Sequence, residues 1–144
     1  MIELTSYRQV NGVRFGSNED EIVAAFGEPS TRLVNHEGEI ELLYPNCIAR
    51  LEAGSKRFRE FTLLPGCEAR VNGIHVEWQP DFLGLIQSSD PNLFEVLGFI
   101  LSLRLGLALS GFHDDDPSQM AIHAFREGDW AIFRQRMKPF HYRS

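Results

Sequence analysis

The stretch TRLVNHEGEIELLYPNCIARLEAGSKRFREFTLLPGCEARVNGIHVEW, residues 31–78, decides the fold class of this chain. Short runs rich in β-branched and aromatic residues alternate in it with turn-forming residues, a spacing typical of a meander of antiparallel strands. The pattern predicts six strands, at residues 31–36, 39–44, 47–52, 57–64, 67–71 and 74–78. Asn72-Gly73 is the clearest hairpin turn, because both residues tolerate the positive φ angles of a type I′ turn.

The fourth of these runs, residues 57–64, has an imperfectly one-sided pattern. Strict alternation would place Phe58, Glu60, Thr62 and Leu64 on one face, and Arg59, Phe61 and Leu63 on the other. Each face would then mix charged and apolar side chains.

On the N-terminal side of the meander, residues 19–26 are predicted to form a short helix. Asn18 can cap it, and Glu21 stands at the N3 position that completes a capping box. Gly27 followed by Pro29 ends it.

On the C-terminal side, three further helices are predicted, at residues 80–88, 91–105 and 117–125. Each begins with a proline, which suits a first helical turn because the residue lacks an N–H. Residues 91–105 have almost no polar face, so we expect a central core helix there. Strands are predicted at 107–112 and 130–135. The expectation is one α+β domain over residues 1–144, an antiparallel meandering sheet with a short N-terminal helix and C-terminal helices packed on one face.

The charge balance disfavours nucleic acid as a partner. The chain has 14 Lys and Arg residues against 20 Asp and Glu residues, a formal net charge of -6, which repels phosphate backbones. Its acidic residues fall into local groups, Glu19-Asp20-Glu21, Glu37/Glu39/Glu41 and Asp114-Asp115-Asp116. Such groups could steer a basic protein toward the chain, or serve only as solvated charge.

The compartment we expect is the cytoplasm. Met1 leads directly into polar sequence, so we expect no secretion signal. The most apolar run, residues 93–109, is broken by charged residues, so we expect no membrane span. Cys47 and Cys67 fall in or beside predicted strands, which favours two buried free thiols over a disulfide bond.

The densest polar group lies at His113, Asp114, Asp115 and Asp116, with His123 nearby in sequence. Imidazoles and carboxylates could bind a metal for a small hydrolase, using His113, Asp114, Asp116 and His123. Successive aspartates in an extended segment point to opposite sides, which argues against a single metal or catalytic site shared by these residues. Asp116 has a simpler role as a helix cap before Pro117.

No motif favours catalysis. The chain has no phosphate-binding glycine motif and no serine-hydrolase elbow around Ser110. Neither cysteine lies at a predicted helix start, where a thiol pKa would fall. We therefore expect no enzyme, no cofactor and no bound metal. The candidate partner-binding residues are His113, Asp114, Asp115, Asp116 and Trp130, because carboxylates and tryptophan serve as interface contacts.

Residues 12–29, GVRFGSNEDEIVAAFGEP, resemble the strand, turn, helix and stop element that begins beta-lactamase-inhibitor-like domains. Those domains are small protein-binding or scaffold modules. The resemblance implies that a short helix follows the first turn and that a meandering antiparallel sheet comes next.

The segments LGLALSGFHD, residues 105–114, and FREGDW, residues 125–130, resemble uncharacterised bacterial proteins associated with toxin-immunity loci. The resemblance implies a non-catalytic protein-binding domain, a bacterial immunity-type protein that neutralises a basic toxin or effector. A small metal-dependent hydrolase is the alternative. We expect a monomer or a homodimer, and the apolar segment 93–105 is one possible interface.

Overall fold

The computed structural model describes residues 1–143. Along these residues the strands are β1 Ile2–Thr5, β2 Gln9–Val10, β3 Val13–Arg14, β4 Thr31–Val34, β5 Ile40–Tyr44, β6 Cys47–Leu51, β7 Phe58–Leu63, β8 Ala69–Val71, β9 Ile74–His75, β10 Leu93–Val96, β11 Phe99–Ser102, β12 Leu107–Ser110, β13 Ala121–Phe125 and β14 Lys138–Phe140. The helices are α1 Glu19–Phe26 and α2 Phe82–Ser89, with 3₁₀ turns at Pro117–Gln119 and Ala131–Arg136.

The strands form a small and a large sheet. The small sheet has the order β3-β2-β1-β8-β9, and its β1–β8 pair is parallel. The large sheet has the order β14-β10-β11-β12-β13-β7-β6-β5-β4 and is antiparallel throughout.

The main hydrophobic core draws buried side chains from both sheets and both helices. Val10 and Val71 come from the small sheet, and Leu42 and Phe61 come from the large sheet. Ile22 is the buried residue of α1. Burying such aliphatic and aromatic side chains is the main driving force for folding.

A second hydrophobic cluster covers the opposite face of the large sheet, which we call the outer face. Its buried members are Val96, Leu101, Ala108 and Phe125. The side chains that pack over them include Trp130, Phe133 and Met137, from the C-terminal segment. The β10–β12 part of the sheet is therefore apolar on both faces.

The predicted fold class is wrong, because the C-terminal half is built mostly of strands. Residues 91–105, predicted as a core helix, form the hairpin β10–β11 around a two-residue turn at Leu97 and Gly98, where both φ angles are positive. The apolar run suggested a buried helix, but a strand that is covered on both faces has the same uninterrupted pattern.

Two further C-terminal predictions are also wrong. The helix predicted at 117–125 is only the 3₁₀ turn Pro117–Gln119, followed by strand β13. The strand predicted at 130–135 is the 3₁₀ turn Ala131–Arg136. In β13, Ile122 and Ala124 belong to the main core while Phe125 belongs to the outer cluster, so the strand contacts apolar side chains on both faces.

The local signals on the N-terminal side are confirmed. Asn18 accepts a hydrogen bond from the backbone N–H of Glu21, whose side chain accepts one from the backbone of Asn18, so α1 has the capping box that its sequence predicts. The turn at Asn72 and Gly73 has two positive φ angles and joins β8 to β9.

A β-bulge corrects the predicted alternation of β7. Leu51 pairs with Phe58 while Arg50 pairs with Glu60, so Arg59 is an extra residue. The bulge turns Phe58 into the main core beside Phe61, instead of onto the face of Glu60.

No helix among residues 1–143 has the length and apolar character needed to cross a membrane.

Candidate functional site

The predicted acidic residues Asp114, Asp115 and Asp116 lie in the connection between β12 and β13, which we call the acidic loop. Asp116 accepts hydrogen bonds from the backbone N–H and the hydroxyl of Ser118, at 3.1 and 2.6 Å. Its expected role as a cap is therefore confirmed, on a 3₁₀ turn. Asp114 and Asp115 are exposed, and their carboxylates have no hydrogen-bond or ion-pair partner within residues 1–143.

His113 lies on the core side of the large sheet. Its Nε2 is 3.7 Å from a carboxylate oxygen of Glu95, and its ring meets that of Phe140 edge-on, at 6.2 Å between centroids. Glu95 pairs with Ile100, and Phe140 with Leu93. Both pairing partners belong to the main core, and residues directly paired across strands share a face. The buried Nδ1 of His113 has no hydrogen-bond partner within the described chain.

A pocket of about 290 Å³ lies at the β10–β14 edge of the sheet. We call it the edge pocket, and it is lined by Pro91, Asn92, Leu93, Phe94, Pro139, Phe140 and His141. Phe140 links it to the acidic loop, because its ring contacts the neighbouring His113. Phe140 and His113 thus connect the edge pocket to the loop that carries the exposed carboxylates of Asp114 and Asp115.

His123 lies on the other side of the sheet. It pairs with Ala108 of the outer cluster, and its ring contacts Phe99 edge-on. The two imidazoles proposed for a metal site are therefore separated by the sheet itself. Within residues 1–143, no three His, Cys, Asp or Glu side chains are grouped so that they could hold a metal ion.

Trp130 is half-buried on the outer face, where its ring contacts Phe99, Phe125 and Phe133. It belongs with the outer cluster and does not share the core-side position of His113. The structure therefore brings four of the five candidate residues together in and beside the acidic loop, and places Trp130 elsewhere.

A polar network that the sequence analysis missed crosses the outer face from β5 to β13. Arg50 donates to Glu41 at 2.7 Å and to the Thr62 hydroxyl oxygen at 3.1 Å, and also pairs with Glu60. The Thr62 hydroxyl lies 2.8 Å from Nδ1 of His123. Thr62 is only 2% exposed, so a substrate has no access to this hydroxyl. The network serves to hold four strands together.

The surroundings of His123 favour its neutral imidazole. Burial lowers its pKa, the charges of Arg50 and Arg59 lower it further, and Glu60 opposes them. Because Arg50 already donates to the Thr62 oxygen, the hydroxyl proton of Thr62 is free to be donated to Nδ1. This hydrogen bond satisfies both buried side chains.

Beside the network lies an open cleft of about 400 Å³ at the far end of β13. We call it the charged cleft, and its charged lining residues are Glu37, Glu39, Glu52, Arg59, Arg126 and Asp129. Arg126 pairs with Glu52 at 3.0 Å and with Asp129 at 3.2 Å. With four carboxylates against two guanidinium groups, the cleft favours a cationic ligand.

Hydrogen bonds from arginine side chains lower the pKa of two carboxylates of the cleft, Glu52 and Glu39. The hydrogen bonds from Arg126 and Ser55 lower the pKa of Glu52 to about 2. Burial alone would raise the pKa of Glu39, but hydrogen bonds from Arg59 and Asn35 bring it below its ordinary value. Glu37 is exposed and makes no ion pair within residues 1–143. The negative charges of Glu39 and Glu52 therefore persist well below neutral pH.

One sequence signal could have predicted the network. Glu37, Glu39 and Glu41 recur at alternate positions, as do Arg50 and Glu52, which is the period of one strand face. The bulge at Arg59 breaks this period in β7. The pairing of these charges across strands depends on the register.

The chain matches no protein-family model, and no curated protein is significantly similar to it. Its fold is similar to that of an extracellular protein containing a SCP domain from Bacillus anthracis str. Ames, with a TM-score of 0.54 and 13% sequence identity. The match covers 90% of this chain and 50% of the other, so this chain spans about half the length of that protein chain. At this identity the likeness shows the fold alone.

Proposed function

We propose that this chain is a non-catalytic protein-binding domain of the bacterial immunity type, which binds and neutralises a basic toxin or effector. The observation that carries the proposal is the edge pocket, which Phe140 and His113 connect to the loop with the exposed carboxylates of Asp114 and Asp115. Protein interfaces commonly combine an apolar anchor pocket with charged groups at the rim. The pocket takes an apolar side chain of the partner, and the acidic loop takes its Lys or Arg residues.

The net charge of the chain supports a basic partner. A net charge of -6 attracts a basic partner over long distances and speeds its association. The proposal places the protein in the bacterial cytoplasm, where Cys47 and Cys67 stay reduced, as in the structure.

The test is capture of the partner in the cells that naturally make this protein. A tagged wild type is crosslinked in the living cell, and the attached protein and the crosslinked positions are identified by mass spectrometry. We expect one basic partner, crosslinked within and beside residues 113–116. Expression of that partner alone should stop bacterial growth, and co-expression of the partner with this chain should restore growth.

A charge reversal and a matched control make the test specific. Asp114→Lys with Asp115→Lys should weaken capture by roughly tenfold or more and flatten its salt dependence. Glu68→Lys with Glu77→Lys makes the same change in net charge at two other exposed sites, and should leave capture unchanged. Equal capture by all three proteins would contradict the proposed binding surface. A captured partner that is harmless to growth would contradict the immunity role.

A further inference from the structure

The C-terminal segment differs in charge from the rest of the chain. Residues 130–143 contain four of the 14 Lys and Arg residues and none of the 20 Asp and Glu residues. Residues 130–137 lie over the outer cluster, and we call them the basic strap. Arg134 and Arg136 are exposed on it and make no ion pair within residues 1–143. They form a positive surface on an otherwise acidic protein.

An exposed apolar side chain lies at the start of this positive surface. Ile132 is 82% exposed, the largest exposure among the large hydrophobic side chains described as exposed. Its neighbour Phe133 points the other way and packs on the outer cluster. An isoleucine exposed to this degree between charged surfaces is suited to the centre of a small interface, because contact with a partner removes it from water.

The basic strap and the charged cleft are neighbours. Asp129 lines the cleft, Ile132 follows three residues later, and Arg134 two residues after that. Both surfaces lie on the outer face of the large sheet. The exposed cations of the strap make no ion pair among residues 1–143, and the cleft has a surplus of carboxylates. Each surface therefore complements the other in charge.

Within one molecule the strap packs on the outer cluster, and its exposed cations make no ion pair with the cleft. In a pair of molecules, the strap of each copy can form ion pairs with the cleft of the other copy. A two-fold axis exchanges the surfaces, so that each strap faces the cleft of the opposite copy and the same contact forms twice. We propose that the protein forms a two-fold dimer in which the basic strap of each copy binds the charged cleft of the other, with Ile132 near the axis.

The cleft half of the dimer surface is separate from the acidic loop proposed for the toxin. The acidic loop precedes β13 and the cleft follows it, and a five-residue strand spans about 16 Å. The dimer can therefore be tested without knowing the partner, and the failure of either proposal leaves the other standing.

The experiment is sedimentation equilibrium of the full chain in low and in high salt. The wild type should be dimeric in low salt and dissociate in high salt, because exposed charges are screened. A strap variant, Arg134→Glu with Arg136→Glu, should raise the dimer dissociation constant by on the order of 100-fold, since like charges then face each other. A cleft variant, Glu37→Lys with Glu52→Lys, should do the same. Circular dichroism melting verifies that each variant is folded.

Mixing the two variants gives the decisive result. In a mixed pair, the acidic strap of one variant faces the basic cleft of the other, and the remaining strap and cleft are both wild type. Two proteins that are monomeric alone should therefore form a heterodimer when mixed. Asp114→Lys with Asp115→Lys, which makes the same change in net charge as the cleft variant, should remain dimeric.

Three results would overturn the proposal. A wild type that is monomeric in low salt would do so, as would a mixture of strap and cleft variants that stays monomeric. A monomer that binds vesicles containing phosphatidylglycerol through Arg134 and Arg136 would assign the strap to a lipid surface instead. Ile132→Ser serves as a separate check, because it should weaken the dimer by removing the apolar contact without changing the charge of the strap or of the cleft.

Discussion

Gly111→Ala should destabilise the protein through two separate effects. Gly111 has a φ of +81°, and an added Cβ would lie 2.5 Å from the backbone nitrogen of Met120 and 2.7 Å from the carbonyl oxygen of Asp116. Alanine in the left-handed region costs roughly 1–2 kcal/mol. Because both neighbouring atoms belong to the backbone, relief requires the acidic loop itself to move, and such overpacking costs about 1–3 kcal/mol.

The expected total is about 3 kcal/mol, which corresponds to a fall in Tm of roughly 6–12 °C for a chain of this size. Gly73→Ala is the matched control, because its φ is +84° but an added Cβ would have no atom within 4 Å. The control should lose only about 1–2 kcal/mol, the conformational part alone.

Urea unfolding followed by tryptophan fluorescence measures both variants. Trp78 reports on this region, since its ring lies 5.9 Å from that of Phe112, the residue after Gly111. Equal losses of unfolding free energy in Gly111→Ala and Gly73→Ala would refute the close packing of the acidic loop against Gly111.

Two further predictions concern ionisable groups. Since the pKa of Glu52 is lowered to about 2 from an ordinary 4.5, its pairing with Arg126 stabilises the fold above pH 4.5 and is lost as the pH falls toward 2. Glu52→Gln should therefore reduce the unfolding free energy by less than about 1 kcal/mol at pH 7, because the site is partly exposed. In urea titrations the deficit should be much smaller at pH 2, close to the pKa of Glu52, and an equal deficit at both pH values would count against this pairing. Burial, with the nearby Cys67, raises the pKa of Cys47 to about 11, so iodoacetamide at pH 8 should leave both buried thiols of the native protein unlabelled and modify both in urea. Stoichiometric labelling of the native protein would show that the site of Cys47 is open.

The structure confirms predictions that rest on short-range chemistry. The capping box of α1 needs only Asn18 and Glu21, three residues apart, and the β8–β9 turn needs only Asn72 and Gly73. The cap by Asp116 has the same local origin. Such features form wherever the backbone allows them, because the donor and acceptor are neighbours in the chain.

The candidate site was predictable only in part. The exposure of Asp114 and Asp115 follows from their charge, and their grouping follows from sequence. The connection between the acidic loop and the edge pocket depends on the pairing of β14 with β10, which brings Phe140 beside Leu93. The charged cleft joins residues from the β5, β6, β7 and β13 regions, so its composition depends on the order of strands in the sheet.

The sequence alone determined the strands over residues 31–78, the first helix and its caps, the acidic character of the chain and the two buried thiols. The predicted six-strand meander is correct only for β4 to β7, because β8 and β9 join the small sheet through the parallel pairing of β8 with β1. Tertiary structure decided that residues 91–105 form a hairpin and not a helix, and that the sheet separates His113 from His123. The physical reason is that a continuous apolar run satisfies a buried helix and a strand covered on both faces equally well. Only the packing of the C-terminal segment over the outer face favours the strand.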